Sequence, residues 1–358
     1  MRLSLRAAGL PSLVLGLIAG LAAMGAVGEQ GVFTVGSASA APGQKSTGVL
    51  AVPAGSDAGL DIPVAVVHGA RPGPVLALVA GAHGTEYASI VAVEKLIERL
   101  DPAEVSGTVI LVPLLNTPSF EQKVPHVNPV DGKNMNRFYP GKSDGTQTER
   151  ALALVTRQVV ERCDYLIDFH GGDLDEDLRP YSYWLKTGNE KQDAVTRQMV
   201  LAFGLGTIVI AADRPTDANA SRYLDSTAST RGKPALTVEA GRAGTVAPED
   251  VSALMDGTVS VMRFLKMLPG SPSPVEHPVW IESVQTVTSE RAGIFYPLVS
   301  RGQYVAEGMR IGYVTDYVGK TVFEPRAPKA GVVLYVCAVP SMKKGDTIAT
   351  VGVVKASP

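Results

Sequence analysis

The sequence predicts an α/β fold, a mixed and mostly parallel sheet flanked by helices, followed by a small all-β unit. Three observations carry this expectation. Apolar runs alternate with amphipathic stretches of helical period up to position 268. The helical period then stops at Pro269-Gly270-Ser271-Pro272-Ser273-Pro274, a linker of domain-boundary composition. The 358 residues, 45% hydrophobic and 19% charged, suffice for about two domains with real cores.

In chain order, Arg2 and Arg6 precede an uncharged stretch from Ala7 to Val27, the basic start and apolar middle of an export signal. The stretch also approaches the length of a membrane span, so residues 1–40 are expected to be a signal peptide or membrane anchor with its linker. Small-residue cleavage sites occur at Ala26-Val27-Gly28 and Ala38-Ser39-Ala40. With or without cleavage, the body is expected to be periplasmic or secreted.

Residues 41–268 hold the α/β pattern. Strands are expected at 62–67 and 74–80, parted by a Gly-Ala-Arg-Pro-Gly turn. A helix follows, with Ile90, Val93, Ile97 and Leu100 on one face and Glu94, Lys95, Glu98 and Arg99 on the other. Next come a strand at 108–113 and a long irregular stretch at 116–145; such loops inside domains are usually functional. The pattern closes with helix 147–162, strand 165–169, helix 191–203, strands 207–211 and 235–238, and helix 248–268. Beyond the 269–274 linker, β-rich runs at 279–288, 293–297, 310–315, 331–336 and 347–353 make 275–358 a small barrel or sandwich.

Charge excludes one function class. With 33 Lys+Arg against 35 Asp+Glu, there is no basic excess to grip a phosphate backbone, and nucleic acid is not an expected partner. The two cysteines, Cys163 and Cys337, sit in apolar runs and read as buried free thiols, so any metal must be held by His and carboxylate.

The strongest motif is Gly81-Ala82-His83-Gly84-Thr85-Glu86, on the turn between an apolar strand and a helix. Imidazole and carboxylate three positions apart can converge on one divalent ion, and catalytic zinc commonly takes two His, one Glu and a water. His170 ends the run Asp168-Phe169-His170 and would project from a strand's carboxyl end, where open α/β sheets place their sites. Glu239, after Leu236-Thr237-Val238, ends another strand and supplies the free carboxylate a metallohydrolase needs for proton transfer.

Together these pieces resemble the succinylglutamate desuccinylase and aspartoacylase family, of the zinc carboxypeptidase-like superfamily. The family's zinc-binding His-Gly-x-Glu is similar to His83-Gly84-Thr85-Glu86, its Asn-Pro loop to Asn116-Thr117-Pro118, and its Asn-Arg signature to Asn134-Met135-Asn136-Arg137-Phe138-Tyr139-Pro140-Gly141. The resemblance implies one Zn2+ per chain on His83, Glu86 and His170, Glu239 as catalytic base, and Asn136 and Arg137 as binders of the substrate carboxylate. Asn134 departs from the acidic residue often found there. The family's additional upstream arginine has no counterpart among Lys123, His126 and Pro129.

The implied activity is zinc-dependent hydrolysis of the amide of an N-acyl amino acid or related small amide. The alternatives are carboxypeptidase-like trimming of small or cell-wall peptides and non-catalytic ligand binding on the same scaffold. A pocket closed by the C-terminal unit would favour small amides, an open groove peptides. Of the other polar residues, His68, His126 and His277 read as solvated imidazoles and Asp168 as a support for His170. Tyr181, Tyr183 and Trp184 read as packing, and the acidic run 173–177 as a solvated loop.

Overall fold

The apolar runs become the central strands of a 13-stranded sheet in a computed structural model that describes residues 30–358. The leader expected at 7–27 lies outside the described residues. Arg71–Ala80 runs parallel to Ser106–Val112 on one side and to Tyr165–His170 on the other, and Tyr165–His170 runs parallel to Ala235–Glu239. Strands covered on both faces read as near-continuous apolar runs rather than alternating ones, which is why Leu76–Ala80, and Leu166–Phe169 with its single Asp168, announce themselves in sequence. Outside this parallel centre, Leu60–His68 and Gln44–Val52 continue the sheet antiparallel.

Helices cover both faces. Tyr87–Arg99, Glu190–Phe203 and Pro248–Phe264 pack one core around Leu96, Phe169, Met199, Phe203 and Leu254. Gln147–Val155 and Leu224–Ser229 cover the other, around Leu152, Val155 and Leu224. Their ends follow capping chemistry. Asn189 accepts from the Gln192 amide and Gly204, at φ +86°, ends the same helix; Glu149 reaches back to the Thr146 amide at 3.1 Å. Among the described residues, no helix is long and apolar enough to cross a membrane.

Three expectations change. Residues 33–40, expected to belong to the leader and linker, form a hairpin of Phe33–Val35 and Ala38–Ala40, with Val35, Ala38 and Ala40 buried in the second core. The Ala38-Ser39-Ala40 cleavage position therefore falls inside folded structure. Tyr181–Leu185 is a further strand, antiparallel to Ala235–Glu239 and parallel to Thr207–Ala211. Finally, the sheet crosses the 269–274 linker without interruption: Val279–Thr288 pairs in parallel with Thr207–Ala211, then with Thr347–Lys355. The C-terminal strands extend the large sheet antiparallel and add a separate four-stranded antiparallel sheet; residues 31–358 form one compact unit.

Candidate metal and active site

Three neighbouring parallel strands end side by side. Ala80 precedes the turn that carries His83, His170 is the last residue of its strand, and Glu239 is in register with it on the adjoining strand. The turn after Ala80 needs its glycines. Gly81 has φ +71°, and a Cβ on Gly84 would meet the Phe120 amide nitrogen at 2.3 Å and the Asn116 carbonyl at 2.8 Å. Asn116 pins the same turn, donating to the Ala82 carbonyl at 3.2 Å while its backbone amide donates to Gly81. Glu86 then caps Tyr87–Arg99, and its carboxylate faces both imidazoles.

His83 Nδ1 lies 2.5 Å from Glu86 Oε1, and His170 Nδ1 lies 3.0 Å from Oε2. One donor atom from each of the three residues falls within 4.8 Å of the others, and all three are buried. Two nitrogens and a carboxylate oxygen so arranged could hold one metal ion. Burial works to raise Glu86, but the facing His83 and His170 outweigh it and hold the carboxyl at about 2. Burial works to lower His170, and Asp168 and Glu86 lift it well above the ordinary imidazole value.

The outer nitrogens of both rings are also held. Asn134 Oδ1 lies 3.1 Å from His83 Nε2 and accepts from the Asn136 amide, so the residue that departs from the family pattern orients a candidate ligand. Asp168 Oδ1 lies 3.2 Å from His170 Nε2, as expected of a supporting group, leaving Nδ1 toward the centre. Asn136 Nδ2 sits 3.0 Å from the same nitrogen, and its oxygen accepts from the Leu224 amide. Arg137 stacks on Tyr223 at 5.0 Å and has no carboxylate partner among the described residues.

All of these residues but Asp168 and Leu224 line a cavity of about 400 Å³. Glu239 faces it with no hydrogen bond or ion pair among the described residues. Burial, then the negative Glu86, Glu176 and Asp168, push its carboxyl well above the usual range, against the opposing His170. One wall comes from beyond the linker: Thr286, Tyr335, Thr347 and Thr350.

Other residues at this cavity escape sequence reasoning. Arg214, from the loop before Leu224–Ser229, stacks on Tyr223 at 4.4 Å and Tyr183 at 5.1 Å, so the cavity holds a second guanidinium that no upstream motif signals. Tyr181 and Tyr183 line the cavity, whereas Trp184 packs on Trp280 in the core. His126 is not simply solvated: its ring nitrogens lie 3.2 Å from Asp173 and 3.3 Å from Asp175, and it lines the cavity. His68 is buried, bonded to Thr108 and the Gly31 carbonyl, while His277 is exposed as expected. The acidic run is not a solvated loop either. Asp173 is fully buried, accepting from Thr85 and the His126 amide, and Glu176–Leu178 forms a strand on Gly331–Cys337.

Residues 72–265 match the succinylglutamate desuccinylase/aspartoacylase catalytic domain, more than half of the chain. The chain belongs to the succinylglutamate desuccinylase/aspartoacylase family. Within it, the chain is 30% identical over 296 residues to the N-α-acetyl-L-2,4-diaminobutyric acid deacetylase of Halomonas elongata, covering 81% of this chain and 85% of that one. Its fold is similar to the product-bound ectoine utilization protein EutE (DoeB) of Ruegeria pomeroyi, with TM-score 0.78 and 27% identity over 86% of this chain and 95% of the other. It is equally similar in fold to a succinylglutamate desuccinylase/aspartoacylase of Rhodobacter sphaeroides, with TM-score 0.78 and 24% identity over 87% and 96% of the two chains. These family members share the mixed sheet that brings strand ends 80, 170 and 239 together here.

Proposed function

We propose that this family member is an exported, zinc-dependent deacylase that hydrolyses the amide bond of an N-acyl amino acid or related small amide. One observation carries the reading: the His83, Glu86 and His170 donor set opens into the same cavity as a Glu239 and an Arg137 that have no ion-pair partner among the described residues. Two imidazole nitrogens and one carboxylate match the donor chemistry of catalytic zinc. The name of the Halomonas relative, a deacetylase of an N-acetylated amino acid, supports the same class. Zinc when bound would supply a Lewis acid that polarises the scissile carbonyl, acidifies a water and favours the ionised form of Glu239.

The chain's own groups do the rest. Arg137 offers a guanidinium fork to the substrate carboxylate, with Asn136 beside it, and so fixes where the amide lies. Glu239 takes the proton of the attacking water and passes it to the departing amine nitrogen. The C-terminal residues Thr286, Tyr335, Thr347 and Thr350 wall the cavity, and a volume of about 400 Å³ suits a small amide better than a peptide chain. The test is metal analysis of purified protein together with amine release from N-acyl amino acids and short peptides, with and without chelator. One zinc per chain and chelator-sensitive release from N-acyl amino acids is the expected result. Release from peptides alone would give the peptidase alternative, and zinc-bound protein that binds but never turns over ligands would give the binding-protein alternative.

A further inference from the structure

The acidic run that the sequence presents as a loop holds three carboxylates with cationic partners and one without. Asp173 and Asp175 share His126, at 3.2 and 3.3 Å from its two ring nitrogens. Asp177 faces Arg301 at 3.3 Å and Arg242 at 3.6 Å. Glu176 is the remainder. Its Oε2 accepts from the Asp173 amide at 3.2 Å, and no lysine, arginine or histidine among the described residues pairs with it within 4 Å. It lies on Glu176–Leu178, between the His170 strand end and Tyr181, and it lines the catalytic cavity.

Of the other acids at the site, Glu239 also lacks a partner but is the base of the deacylase reading, and the rest are committed. Asp225 accepts from the Thr237 hydroxyl at 3.0 Å and faces Arg214 at 3.5 Å, and its second oxygen accepts from the Ser226 amide and hydroxyl. Asp168 holds His170, and Glu86 faces both imidazoles. Beyond Glu239, the cavity therefore presents unspent charge of both signs on separate elements: the Arg137 guanidinium on the Met135–Arg137 turn and the Glu176 carboxylate on its own short strand. A carboxylate withdrawn from water without a paired cation is unfavourable, and burial pushes the Glu176 carboxyl up to about 7, with the Glu86 charge adding to it and the His126 charge opposing. An ammonium supplied by the ligand would complete the pair.

We propose that Glu176 receives a cationic group on the substrate side chain, so that the preferred substrate is an N-acylated diamino acid rather than one with an apolar or acidic side chain. This specificity rests on the deacylase reading above. A neutral isostere leaves the Glu176 carboxylate desolvated and unpaired, and an acidic side chain adds repulsion; sites that lose such a partner reject the analogue strongly.

The experiment compares N-α-acetyl-2,4-diaminobutyrate, N-acetylnorvaline of the same heavy-atom length, and N-acetylaspartate as substrates of the zinc-loaded protein and its Glu176→Gln variant. Calorimetric binding of the free diamino acid and of norvaline is measured in parallel, as a readout that needs no turnover. The wild type is expected to favour the diamino substrate by about 100-fold in kcat/KM, mostly through KM. Glu176→Gln should cut the preference to about fivefold or less while leaving N-acetylnorvaline within about threefold. Glu176→Asp, which keeps the charge, should restore part of it.

Equal loss on both substrates would make Glu176 structural and overturn the proposal. Faster hydrolysis of N-acetylnorvaline or N-acetylaspartate by the wild type would also overturn it, while leaving the deacylase reading intact. Binding of the diamino acid that weakens at least tenfold in Glu176→Gln, with no turnover of any N-acyl amino acid, would uphold Glu176 as receptor and remove the deacylase reading. Should Glu176→Gln fail to fold, the wild-type ranking and the Glu176→Asp variant decide the matter.

Discussion

Replacing Glu239 by glutamine separates proton transfer from everything else the site does. The side chain keeps its shape and its place at the end of Ala235–Glu239, in register with His170 and Tyr181. No hydrogen bond or ion pair among the described residues is broken, so the change orphans no polar partner. Glu239 is not in the His83, Glu86 and His170 donor set, so metal content should stay at the wild-type level. Stability should not fall. Burial, followed by Glu86, Glu176 and Asp168, raises its carboxyl well above the ordinary value, and a carboxyl raised on folding contributes stability that is lost as pH rises. At neutral pH, removing that ionisable group should therefore leave the melting temperature of metal-free protein unchanged or higher. What disappears is the proton acceptor, for which a loss of about 10²–10⁴ in kcat is expected. At about 1.36 kcal/mol per decade, that is about 3–5 kcal/mol of transition-state stabilisation. The assay is amine release under saturating substrate, with zinc content and thermal melting recorded on the same samples. Retention of more than a tenth of the activity, or loss of zinc, would refute the assignment of Glu239 as base.

Asp168→Asn should retain the fold but weaken zinc affinity by about 10–100-fold, measured by competition with a chromogenic chelator, because His170 Nε2 loses its charged acceptor at 3.2 Å. Unchanged affinity would show that a neutral amide oxygen orients the ring as well as the carboxylate does. Phe169→Ala, at a fully buried position packed edge-to-face on Phe203, should cost about 3–5 kcal/mol in denaturant unfolding; a cost under about 1 kcal/mol would contradict the packing described for that core. His126 gives a pH signature. Its bond to Asp175, aided by the charges of Asp173 and Glu176 and opposed by burial, raises the imidazole to about 9. A raised value means the contribution is complete below about 6.5 and is lost as pH climbs through about 9. The melting temperature of the wild type should therefore fall more steeply than that of His126→Gln between those limits, and parallel curves would remove the ion pairs from the account.

Different parts of the site were legible in sequence to different degrees, for physical reasons. His83-Gly84-Thr85-Glu86 is visible because its chemistry is local: a glycine-tight turn and a helix start bring two donors together within four residues. His170 and Glu239 are visible because each ends a strand buried on both faces, and such strands are mostly apolar runs, broken here only by Asp168 and Thr237. Arg214 carries no local signal. It reaches the cavity from an irregular loop and is held by the rings of Tyr183 and Tyr223, which only the fold brings near. The run 173–177 misleads for the converse reason. Four acidic residues around one leucine look solvated until Gly331–Cys337, more than 150 residues away, supplies the strand that Glu176–Leu178 pairs with.

The sequence by itself thus determined the fold class, the alternation of strands and helices, and which residues are candidate donors, with the motif that anchors the first of them. All of these rest on periodicity, composition or turn chemistry within short windows, where a residue's neighbours in sequence are also its neighbours in space. The tertiary structure alone decided which polar groups are spent and which are free. Charge balance in a cavity is a sum over distant elements: Arg137 is available because no carboxylate among the described residues pairs with it, and Glu176 because His126, Arg301 and Arg242 pair with its neighbours. It also decided that Tyr335 and Thr347, from beyond the linker, wall the same cavity as His83, since pairing of Val279–Thr288 with Thr207–Ala211 carries the C-terminal strands onto the one sheet.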